Sequence, residues 1–216
     1  MRVIGGRVPL LDRHVERLVG SCPRANLLPP PGDLVEHAHA HALRPPADRV
    51  LRLEWNGATV TWDDRDATPL RRMRLVIVAE PHPGYPIKVT ERDAFDRAVA
   101  EAAERDADEP LLLTPEGWIA ETARFAIAWI YGEVIRVPSL DLDILPSIGR
   151  IRVMELAEEQ DLRVETGEWP RDELDGCPMF LVNAARGIVP VASLDGTPLP
   201  RHPHVTALAE AFWPRT

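Results

Sequence analysis

The chain has 216 residues, enough to bury a core as one large domain or two small ones. Hydrophobic residues make up 45% of it and charged residues 27%, as in soluble globular proteins. The formal net charge of −9 argues against a nucleic-acid partner, because such binding depends on clustered basic side chains. No apolar run reaches membrane-spanning length, and the first residues, MRVIGGRVPLLDR, lack a signal-peptide pattern. We therefore expect a cytoplasmic protein that does not contact a membrane.

The first 80 residues predict a small domain of helices and strands. Residues 2–9 alternate around Gly5-Gly6, which is typical of a hairpin, and Asp12 is a good N-cap for the helix that follows. Asn56-Gly57 predicts a two-residue hairpin turn. The other predicted elements are a helix at 33–43 and strands at about 49–55, 58–63 and 73–79.

Proline and glycine are concentrated just after residue 80, at Pro81, Pro83, Gly84 and Pro86. This density predicts an interdomain linker at 81–87 between a domain at 1–80 and a larger domain at 88–216. The elements predicted beyond it are helices at about 91–105, 147–159 and 203–212, and strands at 110–114, 118–121, 126–131, 133–137, 161–166, 178–183 and 188–193. The predicted fold class is α+β.

Lys88 is the only lysine in the chain, so 24 of the 25 basic residues are arginine. A bias toward arginine accounts for the rarity of lysine, and it leaves open why this one lysine stayed. A lysine amine can lose its proton and form a Schiff base, which arginine cannot do. The alternative is the chance survival of a surface lysine.

Several blocks of sequence beyond the linker carry a resemblance to a known family. They are the run from Lys88 through Ala98, then DADEPLLLTPEGWIAETAR, ILPSIGRIRVMELA and PMFLVNAARGIVPVASLDG. Together with DRHVERLVGSC near the start, they resemble the fold-type IV pyridoxal-phosphate enzymes, or class IV aminotransferases. This family includes branched-chain aminotransferase, D-amino acid aminotransferase and aminodeoxychorismate lyase. The resemblance implies the two-domain fold of D-amino acid aminotransferase and pyridoxal 5'-phosphate as cofactor.

The resemblance also implies roles for individual residues. Lys88 would form the Schiff base with the cofactor and move protons as general acid and base. Glu121 would pair with the pyridine nitrogen and keep it protonated, so that the ring can accept electrons. The phosphate contacts implied are the Arg17 side chain, the backbone amides of Ile148 and Gly149 at a helix start, and Asn183.

Each of these positions also has an ordinary structural interpretation. On its own, Arg17 is typical of a solvated helix face, Glu121 of an exposed strand residue and Asn183 of a turn former. Pro146-Ser147 is a common helix start.

A metal site is not expected from the sequence. His37, His39 and His41 lie close together on a predicted helix, but no carboxylate or cysteine cluster completes a coordination shell around them. Cys22 and Cys177 are far apart and in no paired spacing, which also indicates no disulfide framework.

The chain departs from the family pattern at defined places. The family usually begins with a strand and a half before the segment matched here, so the first strand of the small domain is expected to be missing. The family more often has glycine at the position of Ser147 and threonine at that of Gly149. A Ser-Asn pair after Glu121 is replaced by Phe125-Ala126, and an asparagine three residues after the lysine is Glu91.

The expected function is that of a pyridoxal-phosphate enzyme that acts on a small primary amine. It would be an aminotransferase or, because NAARGIVPVASLDG resembles that branch more, an aminodeoxychorismate lyase-like enzyme. The alternative is a non-catalytic homologue that serves as a binding or scaffold protein. The resemblance also implies a homodimer, for which Trp118, Phe125 and Trp129 supply apolar area that could equally be core.

Overall fold

The structure is a computed structural model that describes residues 1–68 and 71–214. The chain forms two compact units. The smaller unit consists of the described residues of Met1–Pro69, Ala184–Arg186 and Trp213–Thr216, and the larger unit of those of Leu70–Asn183 and Gly187–Phe212. No helix within the described residues is long and apolar enough to span a lipid bilayer.

The smaller unit packs two helices with an antiparallel sheet. Its elements are β1 (Arg2–Val3), α1 (Leu11–Ser21), α2 (Leu34–Ala42), β2 (Arg49–Trp55) and β3 (Val60–Arg65), with strand order β1-β2-β3. The predicted turn at Gly5-Gly6 is confirmed: Ile4 and Arg7 exchange backbone hydrogen bonds of 2.8 and 3.0 Å, and both glycines have positive φ. The core of this unit contains Val3, Val8, Leu11, Ala38, Ala42 and Leu51.

Two local predictions in the smaller unit were wrong. Asp12 does not cap α1. The helix begins one residue earlier, at the buried Leu11, so Leu10 is the N-cap. Asp12 lies in the first turn, where its carboxylate faces the positive end of the helix dipole. The turn at Asn56-Gly57 is not a two-residue turn. The Asn56 side-chain oxygen accepts hydrogen bonds from the amides of residues 58 and 59, at 2.9 and 2.8 Å, so strand pairing ends at Trp55 and Val60.

The larger unit is built on a mixed sheet whose strand order is β6-β5-β4-β11-β10-β7-β8-β9, with β12 beside β11. Its strands are β4 (Met73–Ile77), β5 (Glu109–Leu113), β6 (Ile119–Thr122), β7 (Ala126–Tyr131), β8 (Val134–Pro138), β9 (Val164–Gly167), β10 (Met179–Asn183), β11 (Gly187–Leu194) and β12 (Thr197–Pro198). Its helices are α3 (Asp93–Glu104), α4 (Ile148–Glu159) and α5 (Pro203–Ala211). The predicted α+β class is confirmed.

The sheet of the larger unit curls toward closure. Backbone pairing between Trp118 and Pro170, and a 2.8 Å bond from the Ile119 amide to the Trp169 carbonyl, join the segment before β6 to the segment after β9. β7, with the sequence AIAWIY, is buried along nearly its whole length, which explains its continuous apolar run. Helix α3 covers β4 and β5 through Phe95 and Ala98.

Strand β4 lies within the larger unit. It pairs in parallel with β5 and with β11, so its hydrogen bonds connect it to strands that come after the proline-rich segment. The sequence placed β4 on the other side of that segment, because linear order does not reveal which strands pair. The division into a domain at 1–80, a linker at 81–87 and a domain at 88–216 stays a prediction. Strand β12 and the short 3-10 turns at Leu140–Leu142 and Arg171–Leu174 were not predicted.

Candidate functional site

Glu121 is a buried carboxylate near the end of β6, with 5% of its surface exposed. Its Oε1 lies 3.0 Å from Nε2 of His82 and accepts a 3.2 Å hydrogen bond from the amide of Leu145. A buried carboxylate is stable only when hydrogen bonds replace its hydration. The two bonds therefore bind three separate segments together: β6, the residues after β4 and the residues that lead into α4.

His82 is as deeply buried as its partner, with 4% exposure. Its Nδ1 accepts a 3.2 Å hydrogen bond from the amide of Gly84, so Nδ1 carries no proton and Nε2–H is the donor to Glu121. This residue was not predicted from the sequence. The one available signal was a histidine inside a proline-rich stretch, PHPGYP, which resembles a linker.

Lys88 is exposed and lies in the irregular segment between β4 and α3. The backbone beside it is fixed by Tyr85, whose hydroxyl donates to the Val89 carbonyl at 2.7 Å and accepts from the Val89 amide at 3.1 Å. The Tyr85 amide donates to the carbonyl of Asp143 at 2.6 Å. The guanidinium of Arg92 lies over the Tyr85 ring, 5.3 Å from its centroid. The segment predicted as a linker is thus packed in the larger unit.

The start of α4 presents backbone donors. Ser147 is its N-cap and accepts a 3.2 Å hydrogen bond from the Arg150 amide. Ile148 and Gly149 follow; both are buried, and their amides have no acceptor among residues 1–68 and 71–214. First-turn amides at a helix start are an anion-binding arrangement, because the free N–H groups and the helix dipole both favour negative charge.

Gly149 lets α4 approach the end of β10 closely. A Cβ at this position would lie 2.9 Å from Cα of Asn183 and 2.9 Å from Cγ2 of Val182. Real side chains do not tolerate such contacts with backbone, so glycine is required for this packing. The structure therefore brings Ile148, Gly149 and Asn183 together, and that they contact the cofactor phosphate stays a prediction from the resemblance.

Asn183 is connected to the turn after Glu121. Its side-chain amide donates to the Arg124 carbonyl at 3.0 Å, and Nε of Arg124 donates to the buried carboxylate of Glu109 at 2.6 Å. Burial raises the pKa of the Glu109 carboxyl, and its bonds to Arg124 oppose that shift. Arg124 thus fixes the turn that joins β6, which carries Glu121, to β7, which pairs with the strand of Asn183.

Arg17 lies on α1 of the smaller unit, where it is half-buried and its carbonyl accepts a 2.7 Å hydrogen bond from Ser21. It is therefore less exposed than a fully solvated helix face would require.

The histidines of α2 take part in local contacts. The ring of His41 stacks on Trp62 with a centroid distance of 4.5 Å, and burial is the main cause that lowers its pKa. Nε2 of His37 lies 3.7 Å from a carboxylate oxygen of Asp33.

A model of the family described as "Amino-transferase class IV" matches residues 1–194. The chain belongs to the class IV aminotransferase family. This family uses pyridoxal phosphate as cofactor. The match confirms the family that the sequence blocks resembled. No curated protein sequence matches the chain.

Solved structures of class IV aminotransferases and related lyases share the fold. An aminotransferase from Brucella abortus bound to pyridoxal phosphate superposes with a TM-score of 0.87 at 19% identity, covering 98% of this chain and 85% of that one. A branched-chain aminotransferase from Thermoproteus uzoniensis gives 0.84 at 23%, covering 98% and 82%. A proposed 4-amino-4-deoxychorismate lyase from Legionella pneumophila gives 0.84 at 19%, covering 96% and 86%. The predicted D-amino acid aminotransferase-like fold is thereby confirmed.

The larger unit fits the family's cofactor at two points. The unpaired amides of Ile148 and Gly149 suit a phosphate group. Glu121 uses one oxygen for both of its hydrogen bonds, so within the described part of the chain its other oxygen stays available to a protonated ring nitrogen.

The close approach at Gly149 can be tested against a second helical glycine. Gly149→Ala should lower the free energy of unfolding by about 1–3 kcal/mol, because the added methyl group forces α4 away from β10. Gly20→Ala in α1 has no atom within 4 Å of the new Cβ and should raise it by up to about 1 kcal/mol through helix propensity. Urea unfolding of the cofactor-free variants measures both. Equal effects would contradict the packing argument.

Proposed function

We propose that this chain is a pyridoxal-phosphate enzyme that acts on the primary amine of a small molecule, through Lys88. The observation that carries the proposal is the buried carboxylate of Glu121, which accepts a hydrogen bond from the amide of Leu145. Leu145 lies just before the start of α4, where the amides of Ile148 and Gly149 have no acceptor among the described residues. The family supports the cofactor. The reaction is either amino-group transfer or elimination of a leaving group, as in an aminodeoxychorismate lyase.

The residues that would hold the cofactor are those predicted from the sequence. Nζ of Lys88 would attach to its aldehyde carbon, and Glu121 would bind its ring nitrogen. The phosphate would be bound by the amides of Ile148 and Gly149, by Asn183 and, from α1, by Arg17. The Ser147 hydroxyl accepts a hydrogen bond from the Arg150 amide and donates to no acceptor in the described part of the chain, so its proton could serve the same anion.

The chemistry divides between the cofactor and the protein. The bound cofactor supplies an electron sink for the charge that forms when a bond to the amine-bearing carbon of the substrate breaks. Nζ of Lys88 would accept a proton from that carbon and would later act as the acid that returns it. Glu121, positioned by His82, would accept a hydrogen bond from the ring nitrogen and so favour its protonated form. His82 keeps the carboxylate oriented, because Nε2–H is its fixed donor.

The choice between lyase and aminotransferase is inferred from the block that begins at Asn183, NAARGIVPVASLDG, which resembles the lyase branch more. Comparing aminodeoxychorismate with a panel of amino donors as substrates distinguishes the two activities. We further propose a homodimer, on the family resemblance, and a cytoplasmic location, on a composition typical of soluble globular proteins. Phe125 and Trp129 give it no support, since both lie in the chain's own core.

The lone lysine gives the sharpest test. Lys88→Arg keeps the charge but cannot condense with an aldehyde, so it should abolish both turnover and the borohydride-trapped pyridoxyl label. Because Lys88 is exposed, cofactor-free variant and wild type should melt within a few degrees of each other. Peptide mapping of the labelled wild type should find the label on Lys88. Label on the amino terminus alone, or a variant that still turns over an amine, would overturn the proposal and favour a non-catalytic homologue.

The phosphate role of Arg17 predicts a loss of affinity. Arg17→Ala should weaken cofactor binding by roughly 10- to 100-fold, since a charge-assisted contact contributes about 1.5–3 kcal/mol. Arg17→Lys should recover only part of this, because an ammonium cannot bind phosphate with a planar fork. Arg24→Ala, an exposed arginine just beyond the same helix, is the matched control and should bind normally. Equal cofactor affinity in Arg17→Ala and wild type, measured by titration of the visible absorbance, would refute the assignment.

His82 is a positioning residue in this proposal. His82→Leu removes the donor to Glu121 and should also weaken cofactor binding by roughly 10- to 100-fold, while His82→Gln should restore part of it through its amide. A double-mutant cycle with Glu121→Gln separates this role from simple packing, because coupled residues give non-additive losses of affinity. Additive losses in the cycle would count against the pairing.

A further inference from the structure

A second cluster of chemically active side chains shares no residue with the site proposed above. Glu133 occupies the turn between β7 and β8, and His202 and His204 lie at the start of α5. All three belong to the larger unit. One ligand atom of each lies within 4.8 Å of the others, and they are the group of metal-ligating residues that converges within residues 1–68 and 71–214.

The separations suit a small divalent ion. Nε2 of His204 lies 3.3 Å from Oε2 of Glu133. Two ligands bound tetrahedrally at about 2.0–2.1 Å from zinc are about 3.3–3.4 Å apart, so these two atoms already have the spacing of a zinc-ligand edge. The ring of His202 lies 4.7 Å from that of His204, at an interplanar angle of 53°. One ring nitrogen of His202 lies within 4.8 Å of the ligand atoms of the other two residues, so the three side chains converge on one point.

The backbone holds the two imidazoles side by side. Pro203 between them occupies the first turn of α5, where its fixed φ suits the helix, and His202 is the N-cap. Nδ1 of His202 accepts the His204 amide at 3.3 Å, a long hydrogen bond. Metal binding at either nitrogen of His202 gives up this cap, which costs some affinity but breaks only a weak bond. Glu133 is exposed and supplies the negative charge.

We propose that Glu133, His202 and His204 form a binding site for a divalent transition metal of the zinc class. Two imidazoles and a carboxylate, with water in the fourth position, are a donor set that zinc accepts, whereas magnesium and calcium prefer oxygen ligands alone. The ion would clamp the β7–β8 turn to the start of the last helix. Its effect is therefore structural, and the site does not depend on the proposed enzymatic function.

Calorimetric titration of the full chain, freed of purification tags and unbound cofactor, tests the site. Zinc should bind with one ion per chain and raise the melting temperature, and magnesium should do neither. Both His204→Ala and Glu133→Gln should weaken zinc binding by at least about tenfold. Glu133→Gln is an exposed, nearly isosteric change, so it keeps the test valid even if His204→Ala disturbs the helix start.

The exposed histidines of α2 provide the matched control. The double variant His37→Ala/His39→Ala removes two of the three histidines that are clustered in the sequence of α2. It should bind zinc like the wild type. Zinc binding that is lost in this double variant, or unchanged in Glu133→Gln and His204→Ala, would overturn the proposal. So would a wild-type chain that binds no zinc.

Discussion

The larger unit depends on the burial of one carboxylate. Glu121 can be removed from water only because His82 and the Leu145 amide both donate to it. These donors come from segments that are 39 and 24 residues away in the chain, so satisfying the charge fixes the path of each segment. Both bonds use Oε1, so the other carboxylate oxygen has no hydrogen bond within residues 1–68 and 71–214.

A second constraint, steric rather than electrostatic, acts at the start of α4. Because Gly149 has no side chain, the helix reaches the backbone at Asn183. At the helix start, two buried amides have no acceptor among the residues that the structure describes. Unpaired buried amides lower stability unless an anion binds to them. The fold thus carries a local cost that a phosphate group would offset, as expected of a binding site prepared in advance.

Most elements of the fold could be predicted from the sequence, because apolar periodicity reports directly on burial. The core strand β7 and the helix α3 are examples. For the candidate site, Glu121, Ile148, Gly149 and Asn183 were assigned through family resemblance, and the structure gives each of them a buried or close-packed position. His82 was not found, because its role comes from a contact across 39 residues. The segment around it resembled a linker for the same reason.

The sequence by itself determined the local chemistry: a single lysine, a glycine in the first turn of α4, and a proline between two histidines. These are covalent facts that hold in any conformation. Only the tertiary structure decided which of these groups meet. In it, β4 pairs with strands beyond the proline-rich segment, His82 forms a hydrogen bond with Glu121, and Glu133 lies next to His204 at the start of α5. The physical reason is that hydrogen bonds and ion pairs form between groups that are close in space. The separation of two residues along the chain does not reveal whether they are close in space.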